Sequence, residues 1–257
     1  MTWDPTQYER FKAERSQPFY DLLAKVTPAS GMRAVDLGCG TGELTRVMHE
    51  RFGCVTTVGY DSSKEMLARA PSAAGLSFVH AAIEDLTLPP GSVDLVLANA
   101  SLHWVPDHPA LFARLVSWLA PGGQLAVQMP ANHTYVTHTV ARTLAARAPY
   151  ADALGGWAPP THVLDLAQYA VLLHRVGLVP TNLSTEAYVH ALDSGDSVVE
   201  WAMGSVLTSF KARLDESTYA RFLATYREEV VRRLPDECPF LYPFLRTFLC
   251  GRYTTAR

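Results

Sequence analysis

Val35-Asp36-Leu37-Gly38-Cys39-Gly40-Thr41-Gly42 is the stretch that decides the fold of this chain. A short apolar run ends in an acid, glycines follow at alternate positions, and a helical pattern starts near Glu43 and runs to about Phe52. Glycine has no Cβ, so its backbone can turn tightly and approach a ligand closely. A strand, a glycine loop and a helix start in succession are the usual means by which a doubly wound α/β sheet holds a nucleotide-like ligand. The spacing departs from two common forms, since a dinucleotide loop prefers G-x-G-x-x-G and a P-loop needs Gly-Lys-Ser/Thr.

Outward from the loop, strand and helix patterns alternate. Arg33–Asp36 reads as the first strand, Val55–Tyr60 as the second, Leu76–His80 as the third, Val93–Asn99 as the fourth and Gln124–Met129 as the fifth. Helices are expected over 43–52, after Ser62 or Ser63 (carrying Met66, Leu67 and Ala70), and over His108–Leu119, with Pro121-Gly122-Gly123 breaking the chain after it. Five such β units mean a mostly parallel sheet with right-handed crossovers. Ahead of it, residues 1–17 read as a short helix or flap, and Pro18–Val26 as a helix with its proline in the first turn. Behind it, Pro130 interrupts the rhythm. Helices are expected over His138–Ala148, over Asp165–Val176 and twice within 196–234; strands are expected over Leu183–Leu192 and Phe240–Tyr253. The whole, 1–257, reads as one domain with a helical lid from about 1–17, 130–160 and 196–234.

At 257 residues and 48% hydrophobic, the chain can bury a real core. A net charge of −3 gives no electrostatic footprint for nucleic acid or an anionic membrane. Cys39, Cys54, Cys238 and Cys250 form no C-x-x-C pair, so neither a metal site nor a disulfide framework is expected, and a reducing cytoplasm is the simple reading. No signal-peptide pattern opens the sequence, and no run of apolar residues is long enough to span a bilayer. Small molecules are the expected partners.

Charge narrows the ligand. An acid inside the loop suits an ammonium group better than a pyrophosphate, so Asp36 argues for a zwitterionic ligand. Asp61 ends the second strand about 20 residues beyond the loop, where a carboxylate can hold two ribose hydroxyls. An amino-acid-like end plus a ribose describes S-adenosylmethionine.

Asp-Leu-Gly-Cys-Gly-Thr-Gly with Asp61 resembles motif I and the ribose acid of class I S-adenosylmethionine-dependent methyltransferases. The resemblance implies a Rossmann-like, mostly parallel seven-stranded sheet, with Gly38, Cys39, Gly40, Gly42 and Ser62 around the cofactor. It narrows further. Asp4-Pro5 with Tyr8, the Ala13–Pro18 stretch, Asn99–His108 (Asn-Ala-Ser-Leu-His-Trp-Val-Pro-Asp-His), Ala126–Asn132, Thr137-His138, Glu200-Trp201 and Tyr242–Arg246 are similar to the trans-aconitate 2-methyltransferase family, nearly end to end. Asn99 and Trp104 fall on its cofactor side. One departure stands out: Ala82 occupies the place of an acid that contacts the adenine amino group. Ile83 can still offer its backbone N–H, and Glu84 or Asp85 is the candidate replacement.

The family methylates a carboxylate of a small tricarboxylic acid. Such a group is ionised at neutral pH, with a reference pKa of about 4, so no general base is required and catalysis rests on positioning. Arginine suits the remaining carboxylates through its two-pronged geometry; Arg15 and Arg246 match the family pattern. Polar residues near the presumed mouth add Gln128, Asn132, His138 and Tyr188, with Tyr8 from the N-terminal block. His103 and Trp104 follow the fourth strand at the sheet edge where ligands bind; Trp104 can wall the pocket, and His103 can hydrogen-bond the substrate or act as a base toward a phenol, amine or carbon nucleophile. A nicotinamide-dependent oxidoreductase and a non-catalytic binding module remain alternatives on the same fold.

Overall fold

Seven strands, β1 (Arg33–Leu37), β2 (Thr56–Asp61), β3 (Leu76–His80), β4 (Val93–Asn99), β5 (Leu119–Pro130), β6 (Leu178–Leu192) and β7 (Phe240–Tyr253), form one sheet. Their order is β3-β2-β1-β4-β5-β7-β6. The β1–β2, β2–β3, β1–β4 and β4–β5 pairs are all parallel. The chain leaves β1 toward β2 on one side and returns at β4 on the other, so the switch point of the sheet lies at the end of β1, where the glycine loop begins. The computed structural model describes residues 12–254, with side chains from Ser16 onward.

The helices are α1 (Lys12–Ala24), α2 (Glu43–Phe52), α3 (Lys64–Leu67), α4 (His108–Ser117), α5 (Val136–Ala145), α6 (Tyr150–Ala153), α7 (Leu166–Arg175), α8 (Gly195–Met203), α9 (Thr208–Lys211) and α10 (Glu216–Val231). The chain divides into two units: residues 1–129, 162–186 and 246–257 make the first, and 130–161 with 187–245 the second. In the first, Leu95, Val96, Leu97 and Ala98 of β4 are wholly buried, as a strand covered on both faces requires, and Phe112, Leu115, Trp118, Val127 and Leu173 fill the core around it. In the second, Phe210, Phe222 and Tyr226 stack into a separate core with Val140, Leu144 and Val199. The Tyr226 hydroxyl there donates to the Thr137 carbonyl at 3.1 Å. Among the described residues, no helix is long and apolar enough to cross a membrane.

Several element boundaries differ from expectation, each for a local reason. Pro18 sits inside α1 rather than in its first turn, at the cost of one intrahelical hydrogen bond. The helix after β2 is a single turn: the Ser63 Oγ accepts from the Met66 N–H at 3.2 Å, and Pro71 closes off continuation soon after. α4 stops at Ser117 because Leu119 already pairs with Val93; β5 absorbs Pro121-Gly122-Gly123 as a register shift before Gln124 pairs with Leu95. β6 begins at Leu178, since Gly177 (φ 83) alone turns the chain out of α7. The 196–234 stretch holds three helices, not two, broken after Gly204.

Candidate functional site

The loop after β1 is built around backbone bonds and three left-handed glycines. The N–H groups of Gly38 and Cys39 both donate to the Tyr60 carbonyl, at 2.8 and 3.0 Å, which ties the loop to β2. Gly38, Gly40 and Gly42 have φ of 75°, 58° and 72°. A Cβ on Gly38 would stand 2.4 Å from the Ser101 side chain, and one on Gly42 2.4 Å from the Phe78 ring. Gly40 differs: a Cβ there would meet nothing within 4 Å. Its backbone faces open space, as close approach by a ligand demands.

Two carboxylates flank this opening. Asp36 is 3% exposed, and its Oδ2 accepts from the Thr45 hydroxyl at 2.7 Å. Burial pushes its carboxyl up to about 6, and the Asp61 charge adds to the rise while Thr45 opposes it. A cation arriving here would restore the ionised form. Asp61 is fixed from both oxygens: Oδ2 accepts from the Gly40 N–H and Oδ1 from the Ser63 N–H, each at 2.8 Å. Carboxylate oxygens have lone pairs to spare, so Asp61 can still accept from two hydroxyls. Cys39 packs its sulfur against Gly59, where a Cβ would come within 2.9 Å, and burial holds its thiol far above the ordinary value. Ser62 is exposed and its carbonyl lies 3.0 Å from His80 Nε2.

The turn after β3 (Ile83–Asp85) is clamped by Arg114, whose guanidinium donates to the carbonyls of Glu84 at 2.6 Å and Ile83 at 3.0 Å. Ile83 is buried, Ala82 half-buried, and Glu84 and Asp85 point into solvent.

A polar row crosses β4, β5 and β7. Asn99 pairs in register with Gln128, and the Arg246 guanidinium donates to Gln128 Oε1 at 3.5 Å. Gln128 is wholly buried and Arg246 nearly so. That contact fixes the amide: Oε1 faces the arginine, and Nε2 is left buried without an acceptor among the described residues. Asn99 Oδ1 is likewise buried without a donor. Each orphan carries a penalty of about 1–3 kcal/mol until a ligand group answers it. After β4, the Ser101 hydroxyl donates to the Leu37 carbonyl at 2.6 Å and joins the β1 and β4 loops. The short turn Leu102–Trp104 follows, with His103 half-buried and its ring 4.7 Å from that of Trp104, which is 66% exposed.

Asn132, His138 and Tyr188 belong to the second unit. Asn132 is tied within it: Oδ1 accepts from the Leu245 N–H at 2.5 Å, and Nδ2 lies 3.4 Å from both the Tyr242 hydroxyl and the Pro243 carbonyl. His138 Nδ1 lies 3.1 Å from the Thr137 hydroxyl; burial, then the charges of Arg142 and His133, lower it to about 4, so it is neutral at pH 7. Tyr188 is half-buried on β6. Tyr8 lies outside the described residues, as does the side chain of Arg15. Thr45, Ser101, Phe78 and Arg114 shape the site without having been singled out. Ser101 stands in the Asn99–His108 block, but nothing in the local sequence marks the other three or the role of any of them, because each acts across a strand or loop boundary.

Sheet order, glycine loop and paired carboxylates define a class I, S-adenosylmethionine-dependent methyltransferase. A family model described as a methyltransferase domain matches residues 8–183. The trans-aconitate 2-methyltransferase of Deinococcus radiodurans is 41% identical over 255 residues, covering 96% of each chain. That of Methylobacterium nodulans is 38% identical, covering 98% of each, and that of Mycobacterium tuberculosis is 35% identical, covering 99% of this chain and 98% of its own. The chain belongs to the trans-aconitate 2-methyltransferase family. Among solved structures, the YcgJ protein of Bacillus subtilis superposes with a TM-score of 0.64 at 13% identity, over 93% of this chain and 99% of its own. An S-adenosylmethionine-dependent methyltransferase of Mesorhizobium loti gives 0.52 at 23% identity, over 93% and 97%.

Proposed function

We propose that this enzyme forms a methyl ester on one carboxylate of a small di- or tricarboxylic acid, with trans-aconitate as the first acceptor to test. S-adenosylmethionine supplies the methyl group. Asp36, the Gly38–Gly42 loop with Cys39, and Asp61 with Ser62 would hold that cofactor, Ile83 and Glu84 would border its adenine, and Asn99 Oδ1 would take its ammonium. The observation that carries the acceptor reading is the Asn99–Gln128–Arg246 row. A buried guanidinium beside a buried N–H donor offers carboxylate oxygens both charge and direction. An acceptor already ionised at neutral pH needs no base. The residues then have only to hold one oxygen in line, which is the positional part of catalysis. His103 and Trp104 would border the acceptor. Tyr8 and Arg15 would add acid contacts from the N-terminal segment.

The test is transfer of a labelled methyl group to a panel of di- and tricarboxylic acids, phenols and amines. Ester formation on an acid, with no essential base titrating near neutrality, is the expected result. Transfer to phenols and to no acid would replace this reading with one in which His103 is the base. Within the acid reading, Arg246→Ala should raise KM for the acid by roughly ten- to a hundredfold, the worth of a charged hydrogen bond. A KM that hardly moves would remove Arg246 from the acid site.

A further inference from the structure

His108 ends the Asn99–His108 block and has no part in the chemistry above. It is the first residue of α4, buried, and its ring reaches back over its own loop. Nε2 lies 3.0 Å from the Leu102 carbonyl, and Nδ1 lies 2.5 Å from the Tyr169 hydroxyl. The Tyr169 oxygen also accepts from the Leu164 N–H at 3.2 Å.

Every proton in this chain can be assigned. A carbonyl only accepts, so Nε2 carries hydrogen. A neutral imidazole has one N–H, so Nδ1 accepts and Tyr169 donates to it. The tyrosine oxygen then takes the Leu164 N–H. A charged imidazole would point Nδ1–H at Tyr169 and leave the buried phenolic hydrogen without an acceptor, which is costly. Burial, the largest cause, and the nearby His162 both lower His108 from its ordinary value, against its bonds to Leu102 and Val105 and the Asp107 charge.

The segment it reaches needs a tether. Ala100 (φ 52°) and Asp107 (φ 50°), the non-glycine residues with positive φ among those described, bracket it. Such conformations cost of order 1–3 kcal/mol each and persist only where surroundings impose them. Tyr169 is itself anchored, wholly buried against Phe112 in α7, whose start is fixed by the reciprocal Asp165–Gln168 capping box. A continuous path therefore runs from α7 through Tyr169 and His108 to Leu102, the first residue of the His103–Trp104 turn.

We infer that His108, locked in its Nε2–H form by Tyr169, is a positioning residue that sets the Leu102–Trp104 turn beside the methyl-transfer site. The inference rests on the proposed placement of that turn at the site. The test compares His108→Leu, His108→Gln and Tyr169→Phe with the wild type, measuring kcat per folded enzyme and the Kd of S-adenosylhomocysteine by calorimetry. A displaced turn should lower kcat by about ten- to a hundredfold in His108→Leu, the scale of an ångström-sized misplacement, while the Kd stays within about twofold. His108→Gln keeps a donor toward the Leu102 carbonyl and should recover most of the loss. Tyr169→Phe keeps the ring and should fall between, which preserves the test should His108→Leu not fold. A kcat within about twofold of wild type in both His108→Leu and Tyr169→Phe overturns the inference. So does a Kd that weakens in step with kcat, which would indicate general damage. Should the wild type methylate phenols and no acid, the acid reading falls, and the same ratios measured on the phenol still decide the role of His108.

Discussion

Asp36→Asn should stabilise the ligand-free protein at pH 8 while weakening its hold on the cofactor. The wild-type carboxyl stands at about 6 against an ordinary 3.8, chiefly through burial. At about 1.4 kcal/mol per unit, ionised Asp36 costs the folded state about 3 kcal/mol above pH 6. The sign follows from proton binding. Between 3.8 and about 6 the folded state holds the proton and the unfolded state does not, so stability falls as pH rises through this window. Asparagine keeps an oxygen to accept from Thr45 but brings a buried NH2 group that needs acceptors, which takes back about 1–2 kcal/mol. A net gain of about 1–2 kcal/mol remains, or roughly 2–8 °C in Tm for a chain of this size. Calorimetric melting at pH 8 and at pH 5 measures it. The gain should be present at pH 8 and shrink to near zero at pH 5, where the unfolded state is ionised but the folded one is not and only about half of the penalty has accrued. In the same variant, affinity for S-adenosylhomocysteine should drop by roughly tenfold or more, through loss of a charged partner for its ammonium. An equal change in Tm at both pH values, or a variant less stable than wild type at pH 8, would refute the account of Asp36 as a buried carboxylate kept for its ligand.

The two glycine positions should separate stability from binding. Gly40→Ala meets no neighbour but keeps a positive φ, so it should cost about 1–2 kcal/mol of stability and weaken S-adenosylhomocysteine binding strongly in calorimetry. Gly42→Ala forces a methyl group against the Phe78 ring, so its melting temperature should fall further than that of Gly40→Ala. His138 stands at about 4 against an ordinary 6.5, so the unfolded state binds its proton first and stability is lost as pH falls between these values. His138→Gln should flatten the pH dependence of urea midpoints across that interval, and an unchanged slope would remove His138 as its source.

What was legible in the sequence was what is local along the chain. Asp36 through Gly42 states its own turn, because left-handed backbone needs glycine and the acid precedes it within one strand. Asp61 is legible because the end of the second strand falls at a set distance beyond the first. The extent of α1 was not, since a proline is tolerated in mid-helix only when packing outweighs the lost bond, and packing is not written in Pro18 itself. The Gln128–Arg246 contact is a matter of strand order: β7 lies beside β5, although β6 and several helices come between and the two residues stand 118 positions apart in sequence. The role of His108 was hidden for a related reason. The block containing it was conspicuous, but its partner Tyr169 arrives from a helix 61 residues further on.

The place of β7 bears on how the chain reaches its native state. β6 stands at the sheet edge with β7 as its neighbour, and β7 comes last in chain order among the seven strands of this sheet. Until residues 240–253 leave the ribosome, β6 has no strand to pair with, and the outer side of β5 is an open edge rich in buried-type residues. Such edges template association between chains, and long-range pairing that completes late keeps them exposed. A nascent or truncated chain lacking β7 should therefore be held back by chaperones or aggregate, however well the β1–β4 core has formed. For this sheet the C-terminal strand acts as a keystone, set last and bearing on both sides.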